Sequence, residues 1–395
     1  MKKNMLKYMA AALALFAFAS CNDIVDYDEG YTALEDQANQ GAPVITAVYE
    51  VGDTLLENPI TEGQVGQMIR IVGRNLNNAR SITFNNVEAD LTQVYTYSTS
   101  ANVVIPSERS SEENNQIVYT TDQGSTSYNF TVPFPQLSIT GLQSEFVNPG
   151  DSVTILGLNF DFYDFGTSSQ VMLNGTPLGV GSITNTSMKA EIPADTPDNS
   201  TLEIVYSNND GEQTISLPYR PTQNLLYGDF SGVSFNNDGT MAYSIEGDDA
   251  TSADETSLGR QHLHFTGTFD AWAWNTVDLS CNMINSADLG DLSQAGSLDD
   301  YVLKFEVYTP NGTPLTQASP LQLSFNWGDL YTWTPGDGAG LNTHDEWQTI
   351  TLPLAPIAVS GIMAPDTWQS LRIAFQPTAA YTADFRIGNI RIERR

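Results

Sequence analysis

Basic residues are scarce in this chain. Its 395 residues include 16 Lys and Arg against 47 Asp and Glu, which gives a formal net charge of −31 at pH 7. A surface this acidic repels nucleic acid and anionic lipid headgroups, so we expect no nucleic-acid partner. It also disfavours sulfated or uronic-acid polymers, because no basic cluster in the sequence would offset the acidic charge.

Histidine and cysteine are also scarce, with three and two residues. The sequence contains no HExxH, GxSxG, Walker A or CxxC motif, and three histidines provide neither triad nor zinc spacing. His262 and His264 share one face of a predicted strand; we interpret them as a solvated pair, with ligand or metal binding as the alternative. No cofactor is therefore predicted, although 47 acids leave a pair of catalytic carboxylates open.

The N-terminus has the features of an export signal. After a basic start, an apolar run covers residues 9–19 and small residues precede Cys21. The run is too short to span a bilayer comfortably, which favours a signal peptide over residues 1–20. The Ala-Ser-Cys ending resembles a lipobox, in which Cys21 is lipidated; a plain secretory signal is the alternative. The acidic residues 21–40 then form a flexible tether, as in lipoproteins sent to the outer face of Bacteroidetes-type outer membranes.

Long amphipathic helical patterns are missing, and short runs of β-branched and aromatic residues alternate with Gly, Asn and Pro, which predicts an all-β chain. Two segments recur in the same order. “GQMIRIVGRNL” from Gly66 matches “GDSVTILGLNF” from Gly150, and “STSANVVIPSE” from Ser98 matches “NTSMKAEIPAD” from Asn185. The repeat predicts two small sandwich domains, over residues 41–134 and 135–221.

These repeated segments resemble the IPT/TIG immunoglobulin-like family. The resemblance rests on the G-x-x-I/V-x-I-x-G-x-N strand pair and on the Ile-Pro that follows a Thr-Ser turn. It implies immunoglobulin-like sandwiches and says little about function, since such domains act as spacers, binding modules and dimerisers. Neither copy contains a tryptophan, so we expect no aromatic platform in this pair.

The composition changes in residues 222–395, which hold all six tryptophans and all three histidines. About 170 residues without a helical pattern fit one further β-sandwich. “LLYGDFSG”, “WQTITLPL” and “DFRIGNIRI” resemble jelly-roll carbohydrate-binding modules, which implies that a structural Ca²⁺ is possible. The predicted fold class is all-β, with two tandem immunoglobulin-like (IPT/TIG) sandwiches followed by a C-terminal jelly-roll-like β-sandwich.

Trp272 and Trp274 lie one residue apart in “FDAWAWNTVDLS” and share a face if this stretch is a strand. The odd positions before them, such as Leu263, Phe265 and Phe269, are apolar and predict the core face. Even parity therefore places both tryptophans on the solvent face. A β-bulge at Gly267 would turn them inward, which is the alternative.

Parity also sorts the neighbouring strands and aromatic residues. It places Lys304, Glu306 and Tyr308, and likewise Gln322, Ser324 and Asn326, on solvent faces, whereas Trp327 has core parity at a strand end. Tyr331 and Trp333 lie in the Gly- and Pro-rich “GDLYTWTPGDGAG”, which predicts an exposed loop. Trp347 and Trp368 are expected to be structural. The resulting candidate binding residues are Trp272, Trp274, Tyr331, Trp333, Trp327 and Asn326.

The whole layout resembles the type-B surface glycan-binding proteins of polysaccharide utilisation loci. The resemblance is carried by the lipobox-like Cys21, the two repeats, “AWAWNTVDL”, “YVLKFEVY” and “YTWTPG”. It implies a non-catalytic outer-membrane lipoprotein, facing outward, that binds a neutral glycan such as a β-glucan or xyloglucan through residues 222–395. The implied partners are a glycan transporter complex and a companion glycan-binding lipoprotein.

Two other classes of function stay open at this point. A glycoside hydrolase with IPT/TIG spacers would need two carboxylates at a defined separation, but no large catalytic domain remains once three sandwiches are assigned. A surface adhesin or structural spacer is favoured if the candidate aromatic rings are buried.

Overall fold

The computed structural model of the protein describes residues 38–108, 114–208, 211–227, 230, 233–239, 242–247, 258–282, 289–316 and 321–395. The predicted signal peptide, Cys21 and nearly all of the tether lie outside these residues. The described residues form strands and four 3-10 helices (Leu91–Gln93, Phe160–Phe162, Leu292–Gln294 and Pro335–Gly338), so the predicted all-β class is confirmed. Within that part of the chain, no helix has the length and apolarity needed to cross a membrane.

The chain divides into two compact units, Met1–Pro135 and Gln136–Arg395. The first unit is a sandwich of two four-stranded antiparallel sheets, β1-β2-β6-β5 and β4-β3-β7-β8, around its own apolar core. Its strands are β1 (Val44–Glu50), β2 (Met68–Arg74), β3 (Ser81–Phe84), β4 (Val87–Glu88), β5 (Tyr95–Thr96), β6 (Ser100–Val104), β7 (Gln116–Thr121) and β8 (Gly124–Asn129).

The second unit begins with a sandwich of the same design, which we call IPT domain 2. Its sheets have the orders β13-β14-β10-β9 and β12-β11-β15-β16. The strands are β9 (Ser138–Leu142), β10 (Ser152–Leu158), β11 (Gln170–Leu173), β12 (Thr176–Pro177), β13 (Val180–Ile183), β14 (Ser187–Glu191), β15 (Ser200–Asn208) and β16 (Gly211–Tyr219).

The glycine of the repeated motif is required in both sandwiches. A Cβ atom at Gly73 would lie 1.9 Å from the carbonyl oxygen of Val44, and one at Gly157 would lie 2.0 Å from that of Ser138. Each glycine faces a strand whose register shifts nearby, at a β-bulge or irregularity. The sequence repeat is thus a structural repeat whose glycine admits a neighbouring backbone.

The C-terminal sandwich completes the second unit with two five-stranded antiparallel sheets. We call β17-β20-β25-β22-β23 the tryptophan sheet and β18-β19-β26-β21-β24 the joint sheet. The strands are β17 (Ser234–Asp238), β18 (Ala242–Glu246), β19 (His262–Phe269), β20 (Asn275–Asn282), β21 (Tyr301–Tyr308), β22 (Leu321–Phe325), β23 (Tyr331–Trp333), β24 (Trp347–Pro353), β25 (Trp368–Phe375) and β26 (Tyr381–Arg394).

Parity predicts the core of this sandwich correctly. Leu263, Phe265 and Phe269 of β19 are buried, as are the odd residues of β21 and β22. They belong to one apolar cluster that fills the space between the two sheets. Cys281 lies in β20 as expected, but its side chain is outside the described part of the structure.

IPT domain 2 packs against the outer face of the joint sheet. Phe146 forms a buried cluster with Leu225 and Leu258, and Trp347 packs on it. Beside this cluster the Arg391 guanidinium is fully buried and pairs with Glu145, with Glu306 at 3.2 Å and with Glu393 at 2.9 Å. The second unit therefore holds IPT domain 2 and the C-terminal sandwich together through a buried joint.

This joint overturns part of the predicted solvent face. Glu306 and Tyr308 are buried, and the Lys304 ammonium contacts Glu145 at 2.7 Å and Glu393 at 2.8 Å. His262 is also buried, whereas the partly exposed His264 ring lies 2.7 Å from both Glu246 and Asp384. Parity identified the outer face correctly, but a neighbouring domain, not water, covers much of it.

Candidate functional site

The outer face of the tryptophan sheet is the open counterpart of the covered joint sheet. Even-numbered residues of β20, β22 and β25 point away from the core, since Val277, Leu323 and Ile373 point into it. The register pairs Asp278 with Arg372, and Arg372 with Ser324. One polar row thus crosses the middle three strands of this sheet.

Four tryptophans lie on this face or at its ends, and all four are exposed. Their side chains retain 64% (Trp272), 39% (Trp274), 58% (Trp327) and 49% (Trp368) of their accessible surface. Trp272 and Trp274 are exposed as predicted and no inward turn at Gly267 occurs, but they do not share a strand with Phe265: both lie in the connection from β19 of the joint sheet to β20 of the tryptophan sheet. Large rings gathered in water on one face are typical of a binding surface.

Trp327 owes its exposure to a tight turn. Gly328 donates its N–H to the carbonyl of Phe325 at 3.0 Å, and the two residues between them have φ values of +51° and +55°. These are the dihedral signs of a type I′ hairpin turn, which joins β22 to β23. The core parity predicted for Trp327 is therefore wrong, because β22 ends at Phe325, two residues before it.

Asn326 fixes this turn through both ends of its side-chain amide. Its Nδ2 donates to the Gly361 carbonyl at 3.0 Å, and its Oδ1 accepts from the Ser370 N–H at 3.1 Å. Its own N–H donates to the Ser370 carbonyl at 2.8 Å. Asn326 thus positions Trp327, and its predicted part in ligand binding stays a prediction.

Trp272 is also held in the left-handed region, with φ at +67°. Its N–H donates to the Pro377 carbonyl at 2.7 Å, and its carbonyl accepts from Gln376 Nε2 at 3.1 Å. Left-handed backbone at a bulky residue costs of order 1–3 kcal/mol and persists where the surroundings impose it. Trp272 and Trp327 share this conformation and both are exposed.

The floor of the face is polar and closely paired. Asp278 is almost fully buried; it accepts from Arg372 Nε at 2.7 Å and from the Trp327 indole N–H at 3.4 Å. The hydrogen bond with Asp278 raises the pKa of Arg372 above its usual value. The ion pair thus has no net charge and holds the indole of Trp327 by its edge.

Three polar atoms of the floor have no hydrogen-bond partner among the described residues. They are the hydroxyl oxygens of Ser324 and Ser370 and the Oε1 atom of Gln322. A buried polar atom without a partner costs roughly 1–3 kcal/mol. Such atoms are typical of places where ordered water or a ligand completes the hydrogen bonding.

Tyr331 and Trp333 are not on this face, so their predicted exposure is wrong. They form β23, where Tyr331 pairs with Leu323 and Trp333 with Leu321, so both rings take core parity. Trp333 is 8% exposed and meets Phe305 edge-on at 5.6 Å, and Tyr331 packs against the same core. Both still line a cleft of about 520 Å³ beside β24.

The remaining two tryptophans divide as follows. Trp347 is structural, as expected, and packs on His262 and Tyr308 with ring centroids 5.2 and 5.5 Å apart. Trp368 is exposed, which the sequence analysis missed, because it opens β25 at the outward position of that strand. Outward parity of Trp368 with Arg372 was the sequence signal that would have found it.

In the described residues, no cluster of His, Cys, Asp and Glu has the arrangement of a metal site.

Comparison with known proteins now gives this face a context. Residues 227–394 match the family model described as the surface glycan-binding protein B xyloglucan binding domain. Residues 137–221 match the IPT/TIG domain model. The predicted resemblance to type-B surface glycan-binding proteins is thereby confirmed.

Solved structures agree at the level of the fold. Surface glycan-binding protein PbSGBP-B from Prevotella bryantii has a TM-score of 0.51 at 20% identity, covering 90% of this chain and 99% of that one. SGBP-B from a complex xyloglucan utilization locus in Bacteroides uniformis has a TM-score of 0.51 at 16% identity, covering 89% and 99%.

One curated relative from Bacteroides ovatus is described as an IPT/TIG domain-containing protein. It is 27% identical over 162 residues, which is 38% of this chain and 33% of the relative. The aligned stretch therefore spans about a third of that relative's length.

Proposed function

We propose that this protein captures a neutral polysaccharide of the β-glucan or xyloglucan type on the tryptophan sheet, without cleaving it. The observation that carries the proposal is the group of four exposed tryptophans in and next to the strands of one sheet, two of them in left-handed backbone. This sheet lies within the segment that matches a xyloglucan binding domain.

The chemistry of the face suits a neutral sugar chain. The axial C–H groups of a pyranose are apolar and stack on flat rings, while its hydroxyls need polar partners at the edge. Trp274 and Trp368 mark opposite ends of the face, about 26 Å apart, because eight residues of strand separate their rows at about 3.3 Å each. That length accommodates several sugar rings, with Trp327 between the ends.

Charge supports a neutral ligand. The Asp278–Arg372 pair is itself neutral, and the chain as a whole carries −31. A polyuronate or sulfated glycan would meet long-range repulsion without a basic site to offset it. Water that bridges the unpaired floor atoms to ligand hydroxyls would complete their hydrogen bonds.

Binding without cleavage is supported by the state of the floor carboxylate. A glycosidase needs two carboxyl groups, one of which keeps its proton at working pH. Asp278 is instead committed to a guanidinium and an indole N–H. The matched family models describe a glycan-binding domain and an IPT/TIG domain.

We further propose that Cys21 is lipidated and anchors the protein at the outer face of the outer membrane, beside a glycan transporter and a companion glycan-binding lipoprotein. The support is the Ala-Ser-Cys ending of the predicted signal and the acidic segment after it. Cys21→Ala should move the protein from the membrane to the soluble fraction. Unchanged membrane association would contradict lipidation.

Affinity electrophoresis tests the proposed ligand. The protein is run through gels that contain xyloglucan, mixed-linkage β-glucan or polygalacturonate. Retardation by a neutral glucan, none by polygalacturonate, and no release of reducing ends on incubation are the expected results. Retardation by polygalacturonate alone, or sustained release of reducing ends after repurification, would contradict the proposal.

A further inference from the structure

The first unit carries a second aromatic face, on the outer side of the β1-β2-β6-β5 sheet. The strand register places Tyr49 opposite Arg70, Arg70 opposite Asn102, and Asn102 opposite Tyr95. These four residues form one row that crosses all four strands, which we call the tyrosine row. It points away from the core, because Val48, Ile69 and Val103 beside it are fully buried.

The rings of this face are in solvent. Tyr95 is 62% exposed, and Tyr97, two residues further along, is also exposed. Tyr49 is half-buried at the opposite end of the row. The expectation that the IPT/TIG-like pair lacks an aromatic platform was based on its missing tryptophans, and the structure shows tyrosines arranged in their place.

The middle of the row supplies hydrogen-bonding groups in a fixed arrangement. Arg70 Nε donates to the Asn102 Oδ1 atom at 3.2 Å, and the guanidinium and the amide each carry further N–H donors. Strands lie about 4.8 Å apart, so the two tyrosines that end the row are separated by about 14 Å. Flat rings thus flank a polar centre.

The charge of this face departs from that of the chain. The residues that the register places on this side include Val44, Ala47, Tyr49, Met68, Arg70, Val72, Arg74, Tyr95, Ser100, Asn102 and Val104. None of these is acidic, although the chain contains 47 acidic residues, and the exposed Glu50 follows Tyr49 at the end of β1. A hydroxyl-rich neutral ligand can therefore approach the row itself closely.

We propose that the tyrosine row is a second binding site for neutral glycan, distinct from the tryptophan sheet. The inference rests on the proposed function, because it takes the same class of ligand. Sugar rings stack on Tyr95 and Tyr49, and Arg70 and Asn102 donate hydrogen bonds to hydroxyls between them. A chain with two such sites gains avidity for a polymer without any new contact at either site.

The size of the face favours a glycan over a protein partner. Three strand spacings by the seven residues of β2 give a projected area of about 300 Å². A stable protein interface buries about 800 Å² on each partner. The face is therefore too small for a lasting protein contact and is suited to a short stretch of polysaccharide.

The test removes each face in the otherwise intact protein and measures retardation in xyloglucan and in mixed-linkage β-glucan gels. Trp272→Ala/Trp327→Ala should weaken retardation at least tenfold. The retardation that remains should still exceed that of a non-binding protein. Adding Tyr95→Ala/Tyr97→Ala should abolish that residual. Leu55→Ala, at an exposed apolar residue of the same unit away from the row, is the matched control and should change nothing.

The outcomes separate the two proposals. No retardation of the unaltered protein in any gel would overturn both. Strong retardation that Trp272→Ala/Trp327→Ala removes entirely, or a residual that survives the loss of both tyrosines, would overturn the second site alone. Because Tyr95 and Tyr97 are exposed, their removal should leave the melting temperature unchanged, and Tyr95→Phe/Tyr97→Phe should retain the residual binding.

Discussion

Trp272 and Trp327 combine two unfavourable features that ordinary surface residues avoid. Each is a large ring in water, and each has a left-handed backbone. The local networks that impose these conformations use Gln376 and Asn326, whose amides bond backbone groups of neighbouring segments. At the scale of the residue, both features lower the stability of the fold, and in return two indoles are held in defined positions.

Trp368 tests how far along the sheet the ligand extends. Its row is about 26 Å from that of Trp274 by the strand rise, so a short oligosaccharide cannot reach both. Trp368→Ala should weaken binding of a long glucan oligosaccharide roughly tenfold, in line with ~1–3 kcal/mol for stacking on one ring. Calorimetry should show no change for a disaccharide. An equal loss for both lengths would contradict an extended site.

At the scale of the element, the exposure of Trp272 and Trp274 was predicted from a strand that in fact ends at Phe269, since both lie in the connection from β19 to β20. Alternation predicted the core of β19, β21 and β22. It failed where the cause lay outside the strand. Glu306 has correct outward parity but is buried by another domain, which no local pattern reveals. Trp333 lies in a Gly- and Pro-rich stretch, and only the turn before it shows that the chain returns as a strand over the core.

The buried joint makes a prediction about its central cation. Arg391 is the fully buried partner of Glu145, Glu306 and Glu393, so Arg391→Met leaves carboxylates without their main counter-charge. Breaking a buried pair in this way costs about 3–5 kcal/mol of unfolding free energy. Glu306→Gln should cost much less, because Arg391 keeps two carboxylates. Equal losses in denaturant unfolding would contradict this arrangement.

The same joint sets a pH dependence. Burial raises the pKa of Glu306 above its usual value of 4.5, although Arg391 opposes the shift. The folded state therefore holds this proton more tightly than the unfolded chain, and stability falls as the pH rises above about 4.5. Thermal unfolding of Glu306→Gln should lack this component. A pH profile identical to that of the unaltered protein would show that Glu306 does not titrate in this way.

At the scale of the whole molecule, the compact folded unit is larger than the matched binding domain. Recognition is predicted for residues 222–395, yet Leu225, Leu258 and Trp347 in that segment pack on Phe146 of IPT domain 2. A fragment of residues 136–395 should melt at about the temperature at which the second unit melts in the whole chain. A fragment of residues 222–395 should melt at a lower temperature, because it lacks the contacts with Phe146 and Glu145. Identical melting of the two fragments would show that the joint contributes no stability.

The central claim is that the exposed indoles of the tryptophan sheet bind glycan and contribute little to the fold. Calorimetric titration with xyloglucan oligosaccharide and thermal unfolding, carried out on the same Trp327→Ala sample, test it most directly. Trp327→Ala should bind ten- to hundredfold more weakly, from roughly 1–3 kcal/mol of lost stacking, and should melt at an unchanged temperature. The buried Trp333→Ala is the matched control and should lose about 3–5 kcal/mol of stability. An unchanged affinity in Trp327→Ala, or an early melt of that variant, would contradict the account.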